Sequence, residues 1–166
     1  MRRVACFGIC ALVPILAAAQ PAATTAAASW SVQPSPNASS ADGLTGVAAT
    51  SASSAWAVGF SQSGTAPDRT LIEHWNGRAW AIQPSPDAGT GYSDLYGVAA
   101  TSAANAWAVG GTLIEHWNGR RWIVQPSPSV GVSANSLNSV AAVSASSAWA
   151  VGSYRGISRT LVLFRN

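Results

Sequence analysis

The chain has 166 residues, enough for one modest domain with its own core. Hydrophobic residues make up 48% and charged residues only 9%, with a formal net charge of +3 from arginine alone, since there is no lysine. Two of the nine basic residues are Arg2 and Arg3, and Arg120 and Arg121 form the only adjacent pair after them, so the clustered positive charge that nucleic acid requires is missing.

Arg2 and Arg3 are followed by an apolar run, Val4–Leu16, and by the small residues Ala17, Ala18 and Ala19. That order is the charged, apolar and cleavage regions of a secretory signal peptide over residues 1–19. The run is shorter than the roughly 20 residues of a membrane span, and Pro14 interrupts it. An uncleaved N-terminal anchor is the alternative; otherwise the product is secreted, with no stable membrane insertion after cleavage. Cys6 and Cys10 both lie in this leader. The mature chain is therefore expected to have no disulfide, no thiol nucleophile and no Cys-ligated metal.

Residues 20–29 form an Ala/Thr-rich linker, and repeats begin at 30. "WSVQPSP" at Trp30–Pro36 matches the end of a unit that next runs in full from 44 to 86, again from 95 to 128, and in part from 137 to 166. Within a unit, "GVAATS", "AWAVG", "TLIEHW" and "WAIQPS" are short, β-prone and alternating, and turn residues divide them. Asn76-Gly77 and Asn118-Gly119 are hairpin signals, expected to place both central residues at positive φ. Pro84, Pro86, Pro126 and Pro128 end the last strand of a unit, because proline cannot donate to a ladder. Length differences fall at 60–69, 87–94, 129–136 and 153–159, which are read as variable surface loops.

Four short strands per unit give an all-β fold, a β-propeller of about three four-stranded blades per chain. The order is a fourth strand (30–36), two full blades, then three strands, so that 30–36 completes the last blade. Three blades fall below the typical four to eight of a closed ring. A homo-oligomer of two chains closing one ring is the expected solution; an open three-blade arc, or a chain that is a fragment of a longer gene product, are the alternatives.

Val109-Gly110-Gly111 followed by Trp117 and Trp122 resembles the kelch repeat, and "WAVGGTLIEHWNGRRW" is similar to BNR (Asp-box) propellers. The whole "WAVG…LIEHWNG…W…PSP" pattern resembles repeats of secreted bacterial propellers, from Trp30 to the end. The departures are Phe60 and Ser153 at the second kelch glycine, and Trp75 and Trp117 where an Asp-box has its aspartate. The copper chemistry of one kelch-type sugar oxidase needs a cysteine, so the resemblance implies no cofactor here.

Trp30, Trp56, Trp80, Trp107, Trp122 and Trp149 recur at fixed places and are assigned to packing between blades. Gly59, Gly77, Gly110, Gly119 and Gly152 are assigned to the repeat framework. Glu73-His74 and Glu115-His116 look like catalytic pairs, but strand neighbours point to opposite faces. The third unit has Leu163-Phe164 in their place, which implies burial, with Glu73 meeting Arg78 and Glu115 meeting Arg120 or Arg121. No metal site is expected, because clustered ligand spacing is absent.

Catalytic residues are assigned to none. The expected function is a secreted, non-catalytic binding or structural module with a protein or glycan partner and no nucleic acid. A carbohydrate-active propeller, lectin before glycosidase, is the alternative. Candidate ligand contacts are Trp75 and Trp117, as stacking platforms, with Arg69, Arg155, Tyr92 and Tyr154 on or near the variable loops.

Overall fold

Three antiparallel sheets follow one another along the chain. The computed structural model describes residues 28–87, 93–128, 130, 135–154 and 159–166. The chain divides into two units, Met1–Val32 and Gln33–Asn166, and the sheets lie in the second. The leader and all but the last two residues of the linker fall outside the described residues.

The first sheet contains β1 (Ala41–Ser51), β2 (Ser54–Gln62), β3 (Arg69–Trp75) and β4 (Trp80–Ile82), in that order. The second contains β5 (Gly97–Ser102), β6 (Asn105–Gly110), β7 (Leu113–Trp117) and β8 (Trp122–Val124), again in chain order. The third has three strands, β9 (Asn135–Ala142), β10 (Ala148–Tyr154) and β11 (Arg159–Arg165), with β10 in the middle. The expected unit starts at 44, 95 and 137 shift slightly. Ala41 pairs with Gln62 on the longer β2, whereas Leu95 lies outside β5 and its N–H donates to the Gly59 carbonyl of the first sheet at 3.2 Å. Residues 30–36, read as a fourth strand, carry no strand in this structure, and Trp30 and Val32 are fully exposed. A strand exists only through its ladder, and the open edge of β11 pairs with no named strand.

The repeated register explains the repeated residues. Trp56 lies opposite His74, Trp107 opposite His116, and Trp149 opposite Phe164. In each pair the rings sit 4.1–4.2 Å apart, so the histidine is a packing ring that phenylalanine can replace. Gly59, Gly110 and Gly152 occupy one further equivalent place. A Cβ there would overlap the carbonyl oxygen of Gly43 or Ser136 on the neighbouring first strand, or of Asp94 just before it, so the framework role expected of these glycines has a steric cause.

The hairpins differ from expectation in one respect. Trp75 pairs with Trp80, and Trp117 with Trp122, so each loop has four residues rather than two. Gly77 (φ 91°) and Gly119 (φ 89°) take the left-handed conformation. Asn76 Oδ1 accepts from the N–H groups of Arg78 and Ala79, and Asn118 Oδ1 from those of Arg120 and Arg121. The asparagine side chain thus closes each turn.

The core lies between sheets. Trp56, Val58 and Ile72 of the first sheet pack on Val98, Ala106, Ala108, Leu113 and Trp122 of the second, with Leu95 just before it. Val109 of the second, with Ile114, meets Leu137, Ala150, Leu161 and Leu163 of the third.

Candidate functional site

Alternation on a strand gives each sheet a face of Trp, Val, Ile and His and an opposite face of Ala, Leu and Glu. The first face of one sheet covers the second face of the next. In this arrangement Trp122 on β8 stands edge-on to Trp56, centroids 5.2 Å apart at 89°, with Trp117 5.1 Å from Trp56. A tryptophan from a fourth strand therefore closes the seam behind the preceding sheet.

Among the described residues, none takes that closing place in the third sheet. Beside β11 is a cavity of about 340 Å³ lined by Trp107, Val109, Ile114, Leu163, Phe164 and Arg165, among others. Trp107 stands where Trp56 stands in the first sheet, and Arg165 takes the place of Trp117, its guanidinium 5.1 Å from the Trp107 ring. Arg165 also donates to Gln125 Oε1 at 2.8 Å. The cavity thus has an aromatic wall, a cationic rim and a strand edge along one side. Nothing in the repeat taken unit by unit marks it.

The expected partners of the glutamates are corrected. Glu73 lies opposite Ile82 and Glu115 opposite Val124, because the four-residue loops carry the arginines beyond reach. Both carboxyl groups are fully buried. Glu73 accepts a hydrogen bond from the Ser35 hydroxyl at 2.7 Å. Ser85, the equivalent serine before the second sheet, bonds Thr70 instead at 2.6 Å. Neither oxygen of Glu115 has a hydrogen-bond partner. Burial, with the nearby Asp87 charge adding to it, pushes its pKa up to about 8. Glu115 is therefore neutral at pH 7.

His116 is held neutral by burial and by the Arg165 charge, both of which lower its pKa. Its Nε2 is 2.6 Å from Asn105 Oδ1, and the amide of Asn105 is oriented by its bond to Thr101 Oγ1 at 2.5 Å. Burial likewise lowers the pKa of His74, whose Nε2 is 3.3 Å from the Ser54 hydroxyl. Each histidine is thus satisfied within its own sheet.

Two of the expected variable loops come together. The Ser93 N–H donates to the Asp68 carbonyl at 2.9 Å, and Arg69 Nη1 donates to Asp87 Oδ2 at 3.1 Å. The Arg69 side chain is largely exposed, so this ion pair contributes little to stability. The carboxyl groups of Asp68 and Asp94 are within hydrogen-bonding reach. Burial first, and then the Asp68 charge, raises the pKa of Asp94, and the Tyr96 hydroxyl donates to Asp94 Oδ2 at 3.4 Å. No linear spacing signalled the meeting of the two carboxyls.

Trp75 and Trp117 are half-buried. Their indole N–H groups donate to the Ala52 and Ala103 carbonyls at 3.0 and 3.1 Å. Trp117 is walled in by Trp56 and Trp122, while Trp75 leans on Trp80 alone, 5.8 Å away. Tyr154 packs against the core between the second and third sheets. Tyr92 and Arg155 lie outside the described residues. No group of three or more His, Cys, Asp or Glu among the described residues could hold a metal ion. Likewise, no described helix is long and apolar enough to cross a membrane.

Neither a family model nor a curated protein matches the chain. Among solved structures it is similar to YCF48 bound to D1 peptide, with a TM-score of 0.51 and 15% identity over 66% of this chain. The fold is that of a partial β-propeller. The chain spans 34% of the length of that structure, so its three sheets correspond to a part of a ring. Each sheet is a blade.

Proposed function

We propose that this propeller is a secreted, non-catalytic binding module of kelch-like or BNR-like type, which accepts an extended polypeptide strand along β11. The observation that carries the reading is the cavity between the second and third blades. It lies beside a strand edge that pairs with no named strand and is walled by Trp107 and Phe164. An added strand would gain main-chain hydrogen bonds from the edge, while an aromatic side chain filled the cavity. A peptide is also what the similar propeller, YCF48, is bound to. Support for a role other than catalysis comes from the titratable groups. His74 and His116 are engaged in ring stacks, Glu115 is sealed from solvent, and Asp68 and Asp94 touch each other.

The test is calorimetric titration of the full chain with extended seven- to nine-residue peptides carrying one tryptophan, against copies with the tryptophan replaced by alanine. Binding by the aromatic peptides alone, abolished by Phe164→Asp, is expected. Absence of binding of every peptide by monomeric chain, or binding indifferent to Phe164→Asp, overturns it. A glycan array run beside it is expected to stay at background, and a glycan signal lost on Trp75→Ala would make the protein a lectin instead. Hydrolysis of a glycoside panel lost on Asp94→Asn would make it an enzyme.

A further inference from the structure

Two blade faces are open, and they are the two halves of one interface. Leu95 and Leu137 are 0% exposed, whereas the equivalent Leu44 is 46% exposed; Val98 is 9% exposed and Val47 70%. On the other side, Trp56 and Trp107 are 1% and 2% exposed but Trp149 is 46%, and Val151, Val162 and Phe164 are exposed beside it. The first blade therefore shows an uncovered Leu/Val face with Trp80 on its border, where a cavity of about 360 Å³ includes Leu44, Val47, Ala57 and Trp80. The third blade shows an uncovered Trp/Val/Phe face. Within the chain these face types pack on each other twice.

The segment before β1 points the same way. "QPSP" occurs at 33–36, 83–86 and 125–128. The last of these borders the third blade beside Leu163, and Asp87, just after the second, acts on Glu115 of the second blade. Ser35 of the first bonds Glu73, the first blade's equivalent of Glu115 and Leu163. Gln33–Pro36 thus sits against the first blade as the tail of a preceding blade, and Trp30–Val32 would be that blade's fourth strand.

We infer that the occupant of the β11 edge is Trp30–Val32 of a second copy of this chain, in a head-to-tail pair closed by mutual exchange. This rests on the strand-accepting reading of β11 and names its partner. Trp30 of one copy enters the cavity against Trp107 of the other, as Trp122 meets Trp56. Trp75 and Trp80 of the first meet the other's Trp149, repeating the Trp56–Trp117–Trp122 cluster. Each face left uncovered on one copy then meets its complement on the other. A two-fold exchange also gives β11 of each copy a strand on both sides.

By the β7–β8 register, in which His116 faces Ile123, Ser31 of one copy falls opposite Phe164 of the other. The test is light scattering of the full chain at micromolar concentration, beside Trp30→Asp and a Ser31→Cys/Phe164→Cys double variant under mild oxidation. Twice the chain mass for wild type, the single chain mass for Trp30→Asp, and a covalent dimer from the cysteine pair but not from Ser31→Cys/Val162→Cys are expected. Trp30 is fully exposed in the single chain, so its substitution cannot act by unfolding it. A monomeric wild type that still binds aromatic peptides overturns the pairing and leaves the strand-accepting edge standing. A monomer that binds none overturns both, and a particle of three or more chains overturns the closed pair.

Discussion

Glu115→Gln should stabilise the protein at neutral pH and remove part of its pH dependence. Glu115 is fully buried without a hydrogen-bond partner, and its pKa is raised to about 8, against roughly 4.3 in an unfolded chain. Between those values the folded state holds a proton that the unfolded state has lost, so stability falls as pH rises and levels off above about 8. The slope approaches 1.4 kcal/mol per pH unit, which gives a loss of about 1.5–2 kcal/mol between pH 6.5 and 8. His74 and His116 act in the opposite direction. Their lowered pKa values favour the neutral rings, so the stability they contribute is lost on acidification below about 6.5. Above about pH 7, where a histidine of ordinary pKa is mostly neutral even in the unfolded chain, the glutamate dominates. Glutamine keeps the shape and cannot ionise. Urea unfolding followed by tryptophan fluorescence at pH 6.5, 7.2 and 8.0 should show the wild type weakening across the series and the variant nearly flat. Wild-type stability that rises over this range, or a variant as pH-dependent as the wild type, would refute the assignment of a protonated, partnerless Glu115.

His116→Phe should change the unfolding midpoint by less than about 1 kcal/mol, because Phe164 already fills the equivalent place on Trp149 at 4.2 Å; a loss above about 3 kcal/mol in thermal melts would show that the bond to Asn105 matters more than the stack. Gly110→Ala should cost about 3 kcal/mol or more, since its Cβ meets the Asp94 carbonyl, whereas Gly64→Ala, at φ 62° with open space around it, should cost about 1 kcal/mol; equal losses would remove the steric reading. Secretion predicts a mature N-terminus at Gln20, to be read by intact-mass analysis of culture medium, and a product retained in cells with residues 1–19 in place would count against it.

The blades were legible because each unit states its strands and turns in the same words, and tryptophans and glycines recur where the register needs them. What could not be read was relational. The glutamates looked bound to arginines because Asn-Gly suggests a two-residue loop. Two more loop residues instead put Glu73 against Ile82, leaving Ser35 to serve as its donor. Trp149 sits in the same local sequence as Trp56, yet is exposed, since exposure depends on what packs behind the blade and not on the strand itself. Asp68 and Asp94 meet only because the loop before β3 and the segment before β5 end at the same seam, a contact that no periodicity encodes.

Amide hydrogen exchange along β11 tests the strand-accepting edge most directly. With its strand bound, either an aromatic peptide or a second copy at micromolar concentration, the outward amides of Leu163–Arg165 should be protected as well as those of Glu115–Trp117 in β7, which pair with a strand on both sides. Exchange along β11 that stays fast at every concentration and with every peptide would contradict the account.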